Sequence, residues 1–293
     1  MSGAAGRGSL ELRGPTSALL DEPLALTVRG LGDAAGGEIV WRARLRDDDG
    51  RSWRATASSP LALAAAWTPG ADPTGRNADA AHRPRPASAR PADAGADARP
   101  SDAGASRSRP IAALQSLRPL TLDVRAESPD GRAAARSFTR LLLAEGVRVR
   151  RWRAPVAATL FLPPERLAPA ALLLDATAAV PGSTLAAVAP LAAALLASRG
   201  VLTLVVPPGR GQDSAAALPT LSQVARGEAE VLPPPFPPGV PGLADADAGA
   251  WDELLARLGA RPVQAADGPG GGGADGSADS AASSAPRPSG DSS

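Results

Sequence analysis

Two long stretches of the chain contain no residue that could anchor a hydrophobic core. Neither Arg76 to Pro110 nor Gln264 to Ser293 includes a single Leu, Ile, Val or aromatic residue. Such a segment cannot bury enough apolar surface to offset the entropy lost on ordering. We therefore expect a disordered insert at 76–110 and a disordered tail at 263–293, so that any fold is built from the rest of the chain.

The composition excludes several classes of site. The chain of 293 residues has no Cys and one His, His82, so disulfides, thiolate nucleophiles, thiolate metal sites and multi-histidine metal sites are excluded. A net charge of +1 gives no general electrostatic reason to bind nucleic acid or an anionic membrane. The uncharged stretch 176–198 is mostly alanine and contains prolines, which favours a buried helix over a membrane span. We expect a cytoplasmic protein without a metal or cofactor.

The first half of the chain shows the period-two alternation of half-buried strands. The clearest example runs from Ile39 to Ala57, where apolar residues alternate with arginines on both sides of the turn Asp47-Asp48-Asp49-Gly50. Residues 24–28 and 120–125 alternate in the same way. Short strands at this spacing predict an immunoglobulin-like antiparallel β-sandwich over 9–150, interrupted by the insert.

After Trp152 the pattern changes to continuous apolar runs. Two of these, 171–174 and 201–206, flank a helix-like segment at 184–198 that Arg199-Gly200 would close. Continuous runs on either side of a helix predict buried parallel strands in a βαβ unit, and hence an α/β domain over 151–262. A last helix is predicted at 251–258.

Several motifs, in order and spacing, resemble the family of acyl-CoA thioesterases and bile-acid-CoA:amino-acid N-acyltransferases. They are Asp21-Glu22-Pro23, 40–49, 67–75, 114–119, Gly146-Val147-Arg148, 160–164 and 195–200. The insert 76–110 divides one of these motifs. The resemblance implies a β-sandwich followed by an α/β-hydrolase domain, here a partial one, with acyl-CoA as the ligand and acyl-CoA metabolism as the setting.

The chain departs from that family where the chemistry is done. It contains no Gly-x-Ser/Cys-x-Gly elbow to present a nucleophile. In the family the strand at 171–174 leads into a glycine-rich oxyanion turn, whereas here it leads into Asp175-Ala176-Thr177-Ala178-Ala179. The family's acid and histidine would fall beyond the last residue. We therefore expect a catalytically incomplete member and assign no catalytic, cofactor-binding or metal-binding residue.

Three isolated features have both a chemical and a structural interpretation. His82 lies in the insert, where nothing would hold it against a nucleophile as a general base. Ser183 could act as a nucleophile, but a serine before a helix starting near Thr184 favours an N-cap. Gly209-Arg210-Gly211 could hold a phosphate, although a lone Gly-x-Gly after a strand is better explained as a loop.

Two charged groups are open to the same two interpretations. Arg42, Arg44, Arg46 and Arg54 could contact the phosphates of coenzyme A, but a solvated sheet face has the same pattern. Asp252 and Glu253 are adjacent on a helix and therefore point in different directions. We interpret them as the first turn of that helix, where acidic residues favour the helix dipole.

Three hypotheses about function remain open. The chain is either a degraded or truncated member of the acyl-CoA thioesterase and acyltransferase family, a non-catalytic β-sandwich module that binds a protein or ligand, or a decayed gene product. Acyl-CoA enters as a partner by resemblance only. The first hypothesis predicts no thioester hydrolysis or acyl transfer above background, because the nucleophile and base are absent together.

Overall fold

The computed structural model describes residues 9–31, 37–70, 111–209, 213–243 and 246–262. The predicted insert at 76–110 and the tail at 263–293 lie outside the described residues. The first half is β-rich, as predicted. Its strands are β1 (Glu11–Arg13), β2 (Ser17–Leu19), β3 (Thr27–Arg29), β4 (Val40–Arg46), β5 (Ser52–Ala57), β6 (Thr68–Pro69), β7 (Leu120–Glu127) and β8 (Ala133–Leu141).

Six of these strands form one mixed sheet in the order β2-β8-β7-β4-β5-β6, and β1 pairs with β3 in a separate two-stranded sheet. Most pairs are antiparallel, as expected, but β2 runs parallel to β8. Strands β2 and β8 are far apart in the sequence and are not joined by a hairpin turn, so the connection between them does not force an antiparallel pairing. The core face of the large sheet carries Trp41, Leu45 and Trp53, which are all buried.

The predicted hairpin is present between β4 and β5, with Trp41 opposite Ala57 and Leu45 opposite Trp53. Gly50 in its turn has a φ of +76°, a conformation that glycine adopts without steric cost. The predicted strand at 24–28 is shorter than expected and starts only at Thr27. The amide of Leu26 donates to the carbonyl of Leu24, so a local turn uses backbone groups that a strand would pair.

The second half is an α/β unit, and the βαβ segment has the predicted arrangement. Its elements are β9 (Arg148–Trp152), β10 (Ala158–Leu162), β11 (Ala171–Asp175), α1 (Thr184–Ser198), β12 (Thr203–Val206), a 3₁₀ turn (Ser214–Ala217), α2 (Leu218–Ala225), β13 (Ala229–Leu232) and α3 (Ala248–Arg257). The sheet order is β13-β11-β12-β10-β9. β11 pairs in parallel with both β12 and β13.

Helix α1 ends in a Schellman motif, which explains why the next strand starts later than predicted. Gly200 has a φ of +92°, and its amide bonds to the carbonyl of Ala197 while the amide of Val201 bonds to that of Leu196. A Cβ on Gly200 would lie 2.8 Å from the side chain of Leu167. Val201 therefore belongs to the helix cap, and β12 begins at Thr203.

The two helices that follow β11 and β12 cover opposite faces of the sheet. Helix α1 packs in the same core cluster as Leu172 and Leu174 of β11, whereas α2 packs with Leu173 of β11 and Leu204 of β12. From Val188 onward α1 is buried except at Pro190, as predicted for the alanine-rich stretch. No helix in the described part of the chain is long and apolar enough to cross a membrane.

The last helix starts earlier than the sequence analysis predicts, and this corrects the interpretation of Asp252 and Glu253. Helix α3 begins at Ala248, and the carboxylate of Asp247 caps it by accepting from the amides of Gly249 and Ala250. Asp252 and Glu253 lie in the second turn and are exposed. Residues 248–250 are alanine and glycine, which give no hydrophobic periodicity, so the sequence does not indicate that the helix begins there.

Candidate functional site

The carboxyl ends of β11 and β12 form the candidate site. These neighbouring parallel strands send their following helices to opposite faces of the sheet, and we call the region between the two outgoing segments the crevice. In open α/β sheets, ligands bind in such a crevice outside the carboxyl ends of the strands. Asp175 is the last residue of β11, and Ser214 opens the 3₁₀ turn that follows β12.

Asp175 joins the two sides of this crevice. Its Oδ2 accepts a hydrogen bond from Ser214 Oγ at 2.5 Å, and its Oδ1 accepts from Thr177 Oγ1 at 2.6 Å and from the Thr177 amide at 2.9 Å. Partial burial acts to raise the pKa of Asp175, but the hydrogen bonds from Ser214 and Thr177 outweigh it and leave the pKa below the ordinary 3.8. Asp175 is therefore an anion at neutral pH.

The turn after β11 has its backbone amides engaged within the protein. The amide of Ala176 donates to the carbonyl of Val206, that of Thr177 to the Asp175 carboxylate, and that of Ala179 to the carbonyl of Ala176. An oxyanion hole needs amides that point at the reacting oxygen and are not already bonded. In this conformation those three amides are not available to an incoming oxyanion.

The other sequence candidates are divided between this crevice and the undescribed residues. Ser183 Oγ accepts from the amide of Ala186 at 3.4 Å, so it caps α1 as predicted. Gly209 follows β12 on the crevice side, while Arg210 and Gly211 lie outside the described residues. His82 also lies outside them. Within the described ranges, no group of three or more His, Asp or Glu residues is arranged to hold a metal ion.

The predicted arginine face is exposed on the outer side of the six-stranded sheet. Arg44 lies directly opposite Arg54 on β5, and Arg42 lies directly opposite Arg125 on β7. Arg42 also approaches Glu127 at 3.4 Å, and Arg44 donates to Ser52. Like charges placed directly opposite each other across strands repel and lower stability. Arg46 continues the row along β4 as an exposed residue.

A second polar cluster, the joint, connects the two halves at the other end of the α/β sheet. Arg199 lies before the amino end of β12, and its guanidinium bonds to both carboxylate oxygens of Asp21, at 2.9 and 3.2 Å. Trp251 Nε1 donates to the same carboxylate at 3.1 Å, and Glu22 approaches Arg199 at 3.2 Å. Asp21 and Arg199 are almost fully buried, so this ion pair is a structural contact inside one continuous core.

Sequence reasoning did not identify Ser214 or the joint. Ser214 stands next to Asp213 in a polar loop, and only its position after β12 signals the crevice. Asp21 and Arg199 are 178 residues apart in the chain, and neither has a local pattern that indicates burial. The one available signal was that both belong to motifs on which the family resemblance was based.

Comparison with known proteins adds no assignment. No protein-family model matches this chain, and none of the curated proteins matches it either.

Proposed function

We propose that this chain is a non-hydrolysing relative of the acyl-CoA thioesterases and acyltransferases, which binds an acyl thioester at the carboxyl-end crevice without cleaving it. The proposed architecture is that of the family, with a sandwich-like β half joined to a partial hydrolase-like α/β half. We thus propose both that the β half is an immunoglobulin-like sandwich and that the α/β half is a partial hydrolase domain. Its basis is the set of resembling motifs together with the chemistry of the crevice.

The joint supports the proposed kinship because it gives two of the resembling motifs a common physical role. Asp21 and Glu22 belong to the first motif, and Arg199 and Gly200 end the last one. In the structure the first motif provides the carboxylates and the last one provides the guanidinium and the helix-closing glycine. Motifs far apart in sequence thus meet in one contact between the two halves.

The observation that carries the proposal is the state of the crevice. Asp175 is bonded by the hydroxyls of Ser214 and Thr177, and the described residues include no imidazole that could serve either hydroxyl as a base, since the one histidine of the sequence, His82, lies outside them. Attack on a thioester needs an activated nucleophile, a base and oxyanion donors. The crevice supplies polar groups that can contact a ligand, and its turn amides at 176, 177 and 179 are engaged.

The test measures turnover and binding separately. Release of free thiol from acyl-CoAs of several chain lengths should stay at background for the 293-residue chain. Isothermal titration calorimetry with a non-hydrolysable acyl-CoA thioether should detect binding. Asp175→Asn or Ser214→Ala should lower the affinity. Gln223→Ala, at an exposed position near the end of α2, is the control and should leave binding unchanged.

Two results would overturn the proposal. Thiol release that disappears in Ser214→Ala, Ser183→Ala or His82→Ala would show an active nucleophile or base. Equal binding by the parent chain and both crevice variants would show that the crevice is not the ligand site.

A second candidate function has its own observation. Arg44 and Arg54 lie directly opposite each other, and neither forms an ion pair among the described residues, whereas Glu127 offsets the charges of Arg42 and Arg125. An uncompensated pair of like charges favours a β module that binds a phosphate-bearing ligand such as coenzyme A. Binding of free coenzyme A should then fall in an Arg44→Ser/Arg54→Ser variant. Arg148→Ser/Arg150→Ser on the exposed strand β9 removes the same charge elsewhere and serves as the control. Equal loss in both variants would leave only a general charge effect.

A further inference from the structure

A cavity of about 350 Å³ lies between the core face of the six-stranded sheet and the start of α3. Its wall is mostly apolar and includes Leu45, Leu122 and Trp67. The volume falls at the lower end of the range for small-molecule sites, roughly 300–1,000 Å³. None of the crevice residues Asp175, Thr177 and Ser214 lines it, so the cavity is separate from the proposed thioester site.

One cationic side chain lines this cavity and is not fully bonded. Arg140 on β8 is buried, and its Nη2 donates to the backbone carbonyls of Leu20 and Glu22. Its Nη1 is buried and has no hydrogen-bond partner among the described residues. Burial lowers the pKa of Arg140 to about 10, and the nearby charges of Asp21 and Glu22 only partly oppose that effect. A buried donor without an acceptor is costly, and more so when it is charged.

Three carboxylates line the cavity, and two of them, Asp21 and Glu22, are already bonded to other groups, while the third, Asp252, is an exposed residue of α3. Both oxygens of Asp21 are bonded by Arg199 and Trp251, while Glu22 accepts from the amide of Leu19 and pairs with Arg199. Among the described residues, no carboxylate is hydrogen-bonded to Arg140. The guanidinium therefore has an apolar space beside it and lacks a direct anionic partner, and a ligand with an anionic end would supply that partner.

We propose that this cavity binds a small apolar monocarboxylate, with its chain against Leu45, Leu122 and Trp67 and its carboxylate toward Arg140. The rim of the cavity supports access from solvent. Leu61 on the 3₁₀ turn 61–65 lines the cavity and has 66% of its surface exposed, so the wall of the cavity reaches the protein surface at this residue. The proposal does not depend on the crevice function.

The first experiment varies the ligand and uses the unaltered chain. Octanoate, octan-1-ol and octylamine share one hydrocarbon tail and differ only in the head group. Titration calorimetry below the critical micelle concentration should show that octanoate binds at least about tenfold more tightly than octan-1-ol. Octylamine should not bind. Equal affinities for all three ligands would overturn the proposal, because Arg140 would then not select the head group. Absence of octanoate binding would also overturn it, because the cavity would then not take an apolar monocarboxylate.

The second experiment locates the site. Leu61→Glu puts a negative charge at the rim and should weaken octanoate binding about tenfold or more. Val224→Glu, at an exposed position on α2, is the matched control and should have no effect. Asp175→Asn should also leave octanoate binding unchanged, so failure here is distinguishable from failure of the thioester proposal. Equal losses in Leu61→Glu and Val224→Glu would place octanoate elsewhere or attribute its binding to net charge, and would overturn the assignment.

Discussion

The joint and the crevice lie at opposite ends of the same α/β sheet, and each is organised by one aspartate. Asp21 at the joint is buried and bonded by a guanidinium and an indole. Asp175 at the crevice is partly exposed and bonded by two hydroxyls and an amide. A buried charge must be compensated inside the protein, whereas a partly exposed one keeps access to solvent and ligands. Burial, more than hydrogen-bond length, therefore separates a structural carboxylate from one that can serve a site.

The largest expected effect tests that distinction at the joint. Asp21→Ala should lower the free energy of unfolding by about 3–5 kcal/mol, because it leaves Arg199 charged and buried without its main partner. Urea denaturation followed by tryptophan fluorescence measures the change. The control is Arg257→Ala, which breaks an exposed ion pair in which Arg257 Nη1 lies 2.6 Å from Glu230 Oε1. Despite this short distance, the substitution should lower the free energy of unfolding by less than about 1 kcal/mol. Similar costs for the two variants would break the comparison.

The next effect isolates a single hydrogen bond of the joint. Trp251→Phe removes the donor to Asp21 and should cost about 1.5–3 kcal/mol beyond the packing change, since the acceptor is charged and buried. Trp152→Phe is the matched control, because Trp152 Nε1 is buried without a partner among the described residues. Removing that donor should be neutral or stabilising. Both are measured by denaturant unfolding, and an equal loss in the control would assign the cost to ring packing.

The crevice should show a smaller effect with a defined pH dependence. The pKa of Asp175 is depressed on folding, so its contribution is fully present above the unfolded value of 3.8 and is lost as pH falls through the lower folded pKa. Thermal unfolding of the parent chain and Asp175→Asn, followed from neutral pH to below 3.8, should show the difference in melting temperature narrowing over that interval. A difference that stays constant with pH would mean that folding does not change the pKa of Asp175, and would contradict this prediction.

The smallest effect concerns the cap of α1. Ser183→Ala should cost roughly 0.5–1 kcal/mol, at the low end for an N-cap, because the hydrogen bond to Ala186 is long at 3.4 Å. It should leave thiol release at background and ligand binding unchanged. Thermal unfolding measures the first result and the calorimetric assay the second. A loss of ligand binding with unchanged stability would move Ser183 from the cap into the crevice.

Features that depend on neighbouring residues were predictable from the sequence. The alternation around Trp41 and Leu45 predicts the β4–β5 hairpin because a strand repeats every two residues. The βαβ unit was predictable for a similar reason. Its strand, its helix start and its helix end are each indicated by a short segment, namely the apolar run at 171–174, the N-cap Ser183 and the C-terminal Gly200. The start of α3 was predicted too late because the residues that follow the capping Asp247 are alanine and glycine, which give no hydrophobic periodicity.

What the tertiary structure alone decided is which charged residues meet and how deeply they are buried. No local hydrophobic pattern distinguishes Asp21 from the exposed Asp252, and the sequence around Arg199 indicates the end of a helix without indicating that the side chain is buried in an ion pair. The contact between Asp21 and Arg199 spans 178 residues, and the hydrogen bond from Ser214 to Asp175 spans 39. Hydrophobic periodicity is set within a few residues, whereas the burial of a charge depends on which distant segments exclude water from it.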